Sequence, residues 1–493
     1  MDSTITENNS KLILNNKRLN LFITAIIFIV AVFSFLTIPD GQAWGDDFAM
    51  YLMHARNIAE GQAYNETGYI FNKLEPEYAP QNYPPGFPLL ITPIYKFAGL
   101  NLYPYKIFIL ICFLVFLFLS YKFLIPYLSP LYILIIIFFL AFSPFLWEYR
   151  NHILSDIPAA MFFMLSLLLA KRAVESQRSK DWLLLVISVY ISYLVRPAGF
   201  VVLPAAILHS IHFHRKIKFQ PGISILLFTG LVFITGFFFK SESGYLSTTI
   251  NDIQSSGFLP YINHLLLKLH LYIFSFEDFA VGSMAGSQLN KLFFYILTIL
   301  IFISLIRLFR IKPDFICYTL LFYTGIILIW PAWQGLRFFI PVLPLFFYFL
   351  FKLVSDFKKI WLKKTITILI TLVIFFLFGF YYFTANYPNE VQYGVQEKDA
   401  VDVFNYIKTE TPEDAVIMAS KPRAFCLFTK RKGIVFPEHK ANQLNQNIKD
   451  YKVSYIVLSS TELNNSISVE MNKNPEKFNP VYTNPNFTVY IIK

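Results

Sequence analysis

The chain has 493 residues, 56% of them hydrophobic and only 15% charged, with a mean hydropathy of +0.51, a balance that excludes an ordinary water-soluble enzyme. The formal net charge of +11 does not signal nucleic acid, because Lys and Arg fall in short clusters between apolar runs, where membrane topology accounts for them. No nucleic-acid partner is expected.

Residues 1–20 read as a cytoplasmic tail. Apolar stretches then follow at 21–38, 106–125, 130–147, 157–170, 182–196, 198–213, 222–239, 291–308, 315–331, 338–351 and 365–384, several of them short against the roughly 20 residues a spanning helix needs. The first is too long for a signal-peptide core and leads into Pro39-Asp40-Gly41 rather than a cleavage site, so it reads as an uncleaved span. The expectation is a polytopic α-helical membrane protein of about 11 transmembrane helices across 21–384.

The positive-inside rule orients these spans. With the N-terminus in the cytoplasm, Lys17 and Arg18, Lys122, Lys171 and Arg172, Arg215 and Lys216, Arg307 and Arg310, and Lys358 to Lys364 all share one side. The opposite side receives two outer loops, 39–105 and 240–290, and everything after Thr384. The expected location is therefore a membrane-embedded, multi-pass one in the bacterial inner membrane. Segment 385–493 is richer in Asn, Lys, Glu and Pro. Short β-like runs at Ala415–Ala419, Ser454–Leu458 and Thr488–Ile492, with a helical pattern at Lys398–Lys408, make it a small extracytoplasmic soluble α/β domain.

The residues with chemistry in them sit on that outer side. Directly after the first span, Asp46 and Asp47 open a segment in which Phe48, Tyr51, Leu52, Ala55, Ile58 and Ala59 recur at helical spacing up to Gly61. This predicts an amphipathic helix along the membrane surface, whose acids either cap its start or supply a catalytic base. Asn82-Tyr83-Pro84-Pro85-Gly86 then forms a rigid turn toward the second span, structural or part of a site. Asp156, in Ser155-Asp156-Ile157-Pro158, stands where an apolar helix begins. Arg196 and Arg337 stand at outer span ends, against the positive-inside bias, which fits anion binding as well as snorkelling to headgroups. Carboxylates, arginines and an apolar body on one face suit an anionic lipid phosphate carrying a group for transfer.

With these residues in place, the chain resembles the membrane glycosyltransferases of the C-type (GT-C) fold, in particular the branch of protein O-mannosyltransferases and bacterial aminoarabinose transferases. The resemblance rests on Asp46-Asp47 and the helix ending at Gly61, Tyr83-Pro84-Pro85-Gly86, Ser155-Asp156-Ile157-Pro158, Arg196-Pro197 and Arg337-Phe338-Phe339-Ile340-Pro341. It implies an inverting transfer of a sugar from a polyprenyl-phosphate donor to a glycan, lipid or protein acceptor. Asp46 would be the base, Asp47 its neighbour and Asp156 the second acid, with Tyr83, Arg196 and Arg337 binding substrate. Aminoarabinose transferases carry an acidic and a basic residue before the Pro-Pro pair, where this chain has Asn82 and Tyr83. This departure weakens the carry-over of their donor sugar, of a metal at that position and of their particular phosphate contacts.

An oligosaccharide ligase or polymerase is the enzyme alternative, and a transporter or flippase of lipid-linked sugars is the alternative from another class; the latter calls for charges at mid-span, where this chain has few. The cofactor stays unspecified: a divalent metal is compatible with the reaction class, but no metal motif appears. His264 and His270 have no ligand spacing. Cys112, Cys317 and Cys426 form no disulfide framework. The basic stretch Lys421, Arg423, Lys430, Arg431 and Lys432 reads as a solvated surface, with contact to an anionic acceptor as the alternative.

Overall fold

The computed structural model describes residues 2–75, 82–214, 219–239, 257–282, 287–330, 333–384, 394–462 and 465–493. Several predicted features lie outside the described residues: the basic linker 215–218, segments 240–256 and 283–286 of the second outer loop, and 385–393 at the start of the C-terminal segment.

A helix stands at every predicted span, from Asp2–Leu36 to Ile360–Thr384. Seven of the described helices are long and apolar enough to cross a membrane alone, or eight if Pro130–Phe142 and Pro144–Asn151, bent by 48° at Ser143-Pro144, count as one. That is fewer than the expected count of about 11. Pro197–Phe213 and Phe315–Ile329 are apolar but short, and Ser179–Val195 carries Lys180 and Asp181 in its first turn. The protein is a multi-pass membrane protein. Large apolar side chains such as Leu226, Phe237 and Phe383 remain exposed on its helices, as a lipid-facing surface requires, while Phe139, Phe279, Phe347 and Phe378 pack ring against ring inside.

The C-terminal segment folds into a mixed sheet. Its strands are β1 (Tyr69–Ile70), β2 (Val416–Ala419), β3 (Lys432–Val435), β4 (Tyr455–Ser459), β5 (Phe478–Thr483) and β6 (Phe487–Ile492), in the order β1-β3-β2-β4-β6-β5. β2, β3 and β4 are parallel neighbours, joined by helices Pro422–Thr429 and Leu444–Tyr451 as parallel crossovers demand. β6 and β5 close one side as an antiparallel pair. The three predicted strands correspond to β2, β4 and β6, and the predicted helix to Lys398–Glu410.

β1 comes from the 39–105 loop and pairs in parallel with β3. Asn72, just after it, donates to the Val435 carbonyl at 2.9 Å, and Glu75 accepts from the His439 backbone N–H at 2.8 Å. The 69–75 segment is thus stitched into the C-terminal sheet.

One expectation changes here. Helix Asp47–Glu60 is not an amphipathic helix resting on a lipid surface: Phe48, Ala49, Met50, Tyr51, Leu52, Met53, His54, Ala55 and Asn57 are all buried. Helix Pro422–Thr429 covers it from the C-terminal domain and helix Gly86–Ala98 packs beside it. The polar side a lone interfacial helix turns to water here meets protein. Gly61 terminates the helix as expected, at φ +70°.

Candidate active site

Four chain segments bring carboxylates or cations to the same place for local reasons. Asp46 and Asp47 begin helix Asp47–Glu60, Asp156 begins helix Asp156–Ser176, and Arg196 follows helix Ser179–Val195 directly before Pro197. Arg337 lies in the 3₁₀ turn Gly335–Val342 that opens the next membrane helix, Leu343–Ser355. Charges cluster at helix ends because a spanning helix tolerates them poorly at its centre.

Asp156 is the hub and is fully buried. Arg337 forks onto it, with Nε 3.0 and 3.1 Å from Oδ1 and Oδ2 and Nη2 3.1 Å from Oδ2. Arg196 adds Nη2 at 2.7 Å from Oδ1. Arg337 Nη2 also lies 2.7 Å from Oδ2 of Asp47, so a single guanidinium joins the two acidic segments. Ser155 completes the joint, its Oγ 2.8 Å from Tyr51 Oη and accepting from Arg196 Nε at 3.2 Å.

Tyr83 belongs to the same network, donating through Oη to Oδ1 of Asp47 at 2.5 Å. Its backbone is held by His54, which is buried and stacked on Tyr64 at 4.0 Å between centroids. His54 Nδ1 is 2.8 Å from the Tyr64 carbonyl, so that nitrogen carries the proton, and Nε2 accepts from the Tyr83 N–H at 3.3 Å. Burial lowers the His54 pKa to about 3, which keeps the ring neutral and this arrangement fixed.

The two adjacent acids differ chemically. Burial pushes Asp47 up, yet Arg337 and then Arg423, with the Tyr83 hydroxyl, pull it well below the usual carboxylate range. Its basicity is consumed by its partners. Asp46 is pushed up to about 6, chiefly by burial, against the opposing pull of Arg423. It caps nothing in its own helix. Instead Oδ1 accepts from the Ala424 N–H at 3.1 Å, while Oδ2 is buried with no hydrogen-bond partner among the described residues. Asp46 therefore has the desolvated, unspent oxygen that proton abstraction needs.

All six residues singled out from the sequence, Asp46, Asp47, Tyr83, Asp156, Arg196 and Arg337, fall in this cluster. One residue was missed. Arg423, in the stretch taken for a solvated surface, is 1% exposed, with Nη1 2.6 Å from Tyr83 Oη and Nε 3.8 Å from Asp46 Oδ2. Arg431 is buried too, donating to the Lys408 and Thr411 carbonyls within its own domain. A signal was present: Arg423 stands in Pro422-Arg423-Ala424-Phe425-Cys426-Leu427-Phe428, an otherwise apolar run. Three carboxylates and three guanidiniums together form a neutral cluster, the condition under which buried charge is tolerated. His264 and His270 are exposed on helix Phe258–Ser275 and take no part. Among the described residues, no group of three or more His, Cys, Asp or Glu side chains is arranged to hold a metal ion.

Residues 82–239, which include Tyr83, Asp156 and Arg196, match the sequence profile of the dolichyl-phosphate-mannose-protein mannosyltransferase family. No curated protein sequence matches the chain. Among solved structures, the fold is similar to the oligosaccharyltransferase of Archaeoglobus fulgidus in its apo form, with a TM-score of 0.55 at 12% identity over 91% of this chain and 71% of that one. The same enzyme tethered to an acceptor peptide gives 0.54 at 13% identity, over 96% and 74%. ArnT from Cupriavidus metallidurans in the apo state gives 0.53 at 10% identity, over 95% and 97%. The fold is that of the C-type membrane glycosyltransferases.

Proposed function

We propose that this chain is an inverting glycosyltransferase that moves a sugar from a polyprenyl-phosphate donor to a glycan, lipid or protein acceptor on the extracytoplasmic side of the membrane. The observation that carries this reading is the division of labour between adjacent acids. Asp47 is committed to Arg337 and Tyr83, whereas Asp46 keeps a buried oxygen unspent. The donor class is supported by the mannosyltransferase profile over 82–239, whose name specifies dolichyl-phosphate mannose, a sugar on a polyisoprenyl phosphate.

In the proposed step an acceptor hydroxyl or amine attacks the anomeric carbon while the bond from that carbon to the phosphate oxygen breaks. The proton passes to Asp46, the electron pair of the broken bond leaves on the polyprenyl phosphate, and the anomeric centre inverts. The transition state resembles an oxocarbenium ion, so negative charge grows on the leaving phosphate. Arg337 and Arg196, 14% and 16% exposed, are the cations proposed to meet that charge. Asp156 holds both guanidiniums in a fixed direction, so little reorganisation is required as the charge develops. Asp46 is the proposed base, Asp47 and Asp156 are the catalytic-site carboxylates that hold the arginines beside it, and Tyr83, Arg196 and Arg337 are the proposed substrate contacts.

The test is transfer itself. Purified protein in liposomes is given radiolabelled polyprenyl-phosphate sugars and a membrane extract as acceptor source. Label moving from at least one donor to an acceptor, with inverted anomeric configuration, is the expected result. Retention of configuration overturns the mechanism. Translocation of intact donor across the bilayer without transfer replaces it with the flippase reading.

A further inference from the structure

We propose that Arg423 of the C-terminal domain is a positioning residue for the Asp46 carboxylate, so that this domain completes the active site rather than serving only as an accessory to it. The proposal rests on the reading of Asp46 as the base.

The geometry is specific to a guanidinium. Arg423 is sandwiched between two rings of the first outer loop, its central carbon 4.7 Å from the Tyr69 centroid and 4.8 Å from that of Tyr83. From that slot Nη1 donates to Tyr83 Oη at 2.6 Å and lies 3.7 Å from Oδ1 of Asp47, while Nε lies 3.8 Å from Oδ2 of Asp46. The next residue contributes its backbone N–H to Oδ1 of Asp46. Both oxygens of the proposed base therefore face groups of the short helix Pro422–Thr429, which crosses from β2 to β3. A planar group with several donors fits between rings and hydrogen-bonds edge-on, whereas a lysine ammonium does neither as well.

The slot is built by the C-terminal sheet. Tyr69 is the first residue of β1 and pairs with Gly433 on β3. Gly433 has no space for a side chain, since a Cβ would stand 2.7 Å from Cys426 Sγ and 2.8 Å from the Pro422 carbonyl oxygen. The β1–β3 pairing thus fixes the start of helix Pro422–Thr429 and one wall of the slot together. The charged groups acting on Asp46 are Arg423 and Lys421 from the C-terminal domain and Asp47 from its own helix. Arg423 is the strongest of them and favours the ionised acid. Removing it leaves burial less opposed, which raises the pH at which Asp46 becomes a base.

The experiment measures kcat and KM for the donor between pH 5 and 8, in full-length wild type, Arg423→Gln, Arg423→Lys and Asp46→Asn. For Arg423→Gln, kcat is expected to fall about 10- to 100-fold, with donor KM within about twofold and the acidic limb displaced upward by about one pH unit. Arg423→Lys keeps the charge but loses the sandwich, so its limb stays near that of wild type while kcat falls several-fold. The proposal is overturned if Arg423→Gln leaves both kcat and the limb unchanged, or acts through KM alone. If Arg423→Gln does not fold, Arg423→Lys decides: wild-type kcat contradicts the proposal. Asp46→Asn separates the two claims, because full activity there removes Asp46 from the mechanism, whereas an inactive Asp46→Asn beside an unaffected Arg423→Gln removes only Arg423.

Discussion

Arg337 donates to both oxygens of Asp156 at 3.0 and 3.1 Å across 181 positions of sequence, which ties the start of one membrane helix to the turn that opens another. Arg196 holds the same carboxylate from a third direction. Replacing Asp156 with Asn leaves two guanidiniums short of a counter-charge in a buried site. The expected cost is about 3–5 kcal/mol of stability, visible as a lower melting temperature of the detergent-solubilised protein. A melting temperature equal to that of wild type contradicts the assignment of Asp156 as the hub.

Asp46 behaves oppositely. Its folded pKa, near 6, stands above the ordinary 3.8, so ionising it costs stability. That cost is absent below the ordinary value and grows as pH rises through about 6. Asp46→Asn is therefore expected to melt no lower than wild type at pH 7.5, with a gain of up to about 3 kcal/mol, the free-energy equivalent of the gap between the folded and the ordinary value. A clear loss of stability in this variant shows that Asp46 is a structural ion-pair partner instead.

The same value sets the pH dependence of the rate. A base must be ionised to accept a proton, so kcat/KM is expected to rise through about pH 6 and level off above it. A profile flat from pH 5 to 8 excludes Asp46 as the titrating base.

Tyr83 Oη gives its proton to Asp47 and accepts from Arg423. Tyr83→Phe removes both bonds and keeps the ring that stacks on Arg423. Transfer is expected to fall about tenfold, the kinetic equivalent of roughly 1.4 kcal/mol, with the protein still folded. An unchanged rate removes the hydroxyl from the working site.

Gly86 tests the link from the Pro-Pro turn to the arginines. A Cβ there would stand 2.4 Å from the Leu194 carbonyl carbon and 2.5 Å from the Val195 nitrogen, directly before Arg196. Gly86→Ala is expected to cost about 1–3 kcal/mol through overpacking and to raise KM for the donor by displacing Arg196. Normal stability together with normal KM contradicts the contact.

The membrane body was legible because apolar runs and basic linkers are strong, local signals. Five of the clustered residues were legible because charge at a helix end stands out against an apolar background, and Tyr83 because it sits in the rigid Pro84-Pro85 turn. Arg423 was not, since Lys421, Lys430 and Lys432 around it disguise a buried cation as part of a surface stretch; the apolar Ala424 to Phe428 after it was the better guide. β1 was hidden for another reason: two residues, Tyr69 and Ile70, form a strand only because β3 lies beside them, and no local pattern carries a partner so distant in the chain. The burial of helix Asp47–Glu60 under the C-terminal domain follows from the same long-range docking.

The most direct measurement is transfer of labelled sugar from polyprenyl phosphate by wild type and by Asp46→Asn, at matched folding and above pH 7. Loss of a proton-accepting oxygen is expected to lower the rate about 10²- to 10⁴-fold, with donor binding retained through Arg196 and Arg337. Equal transfer by the two proteins contradicts the central claim that Asp46 is the base.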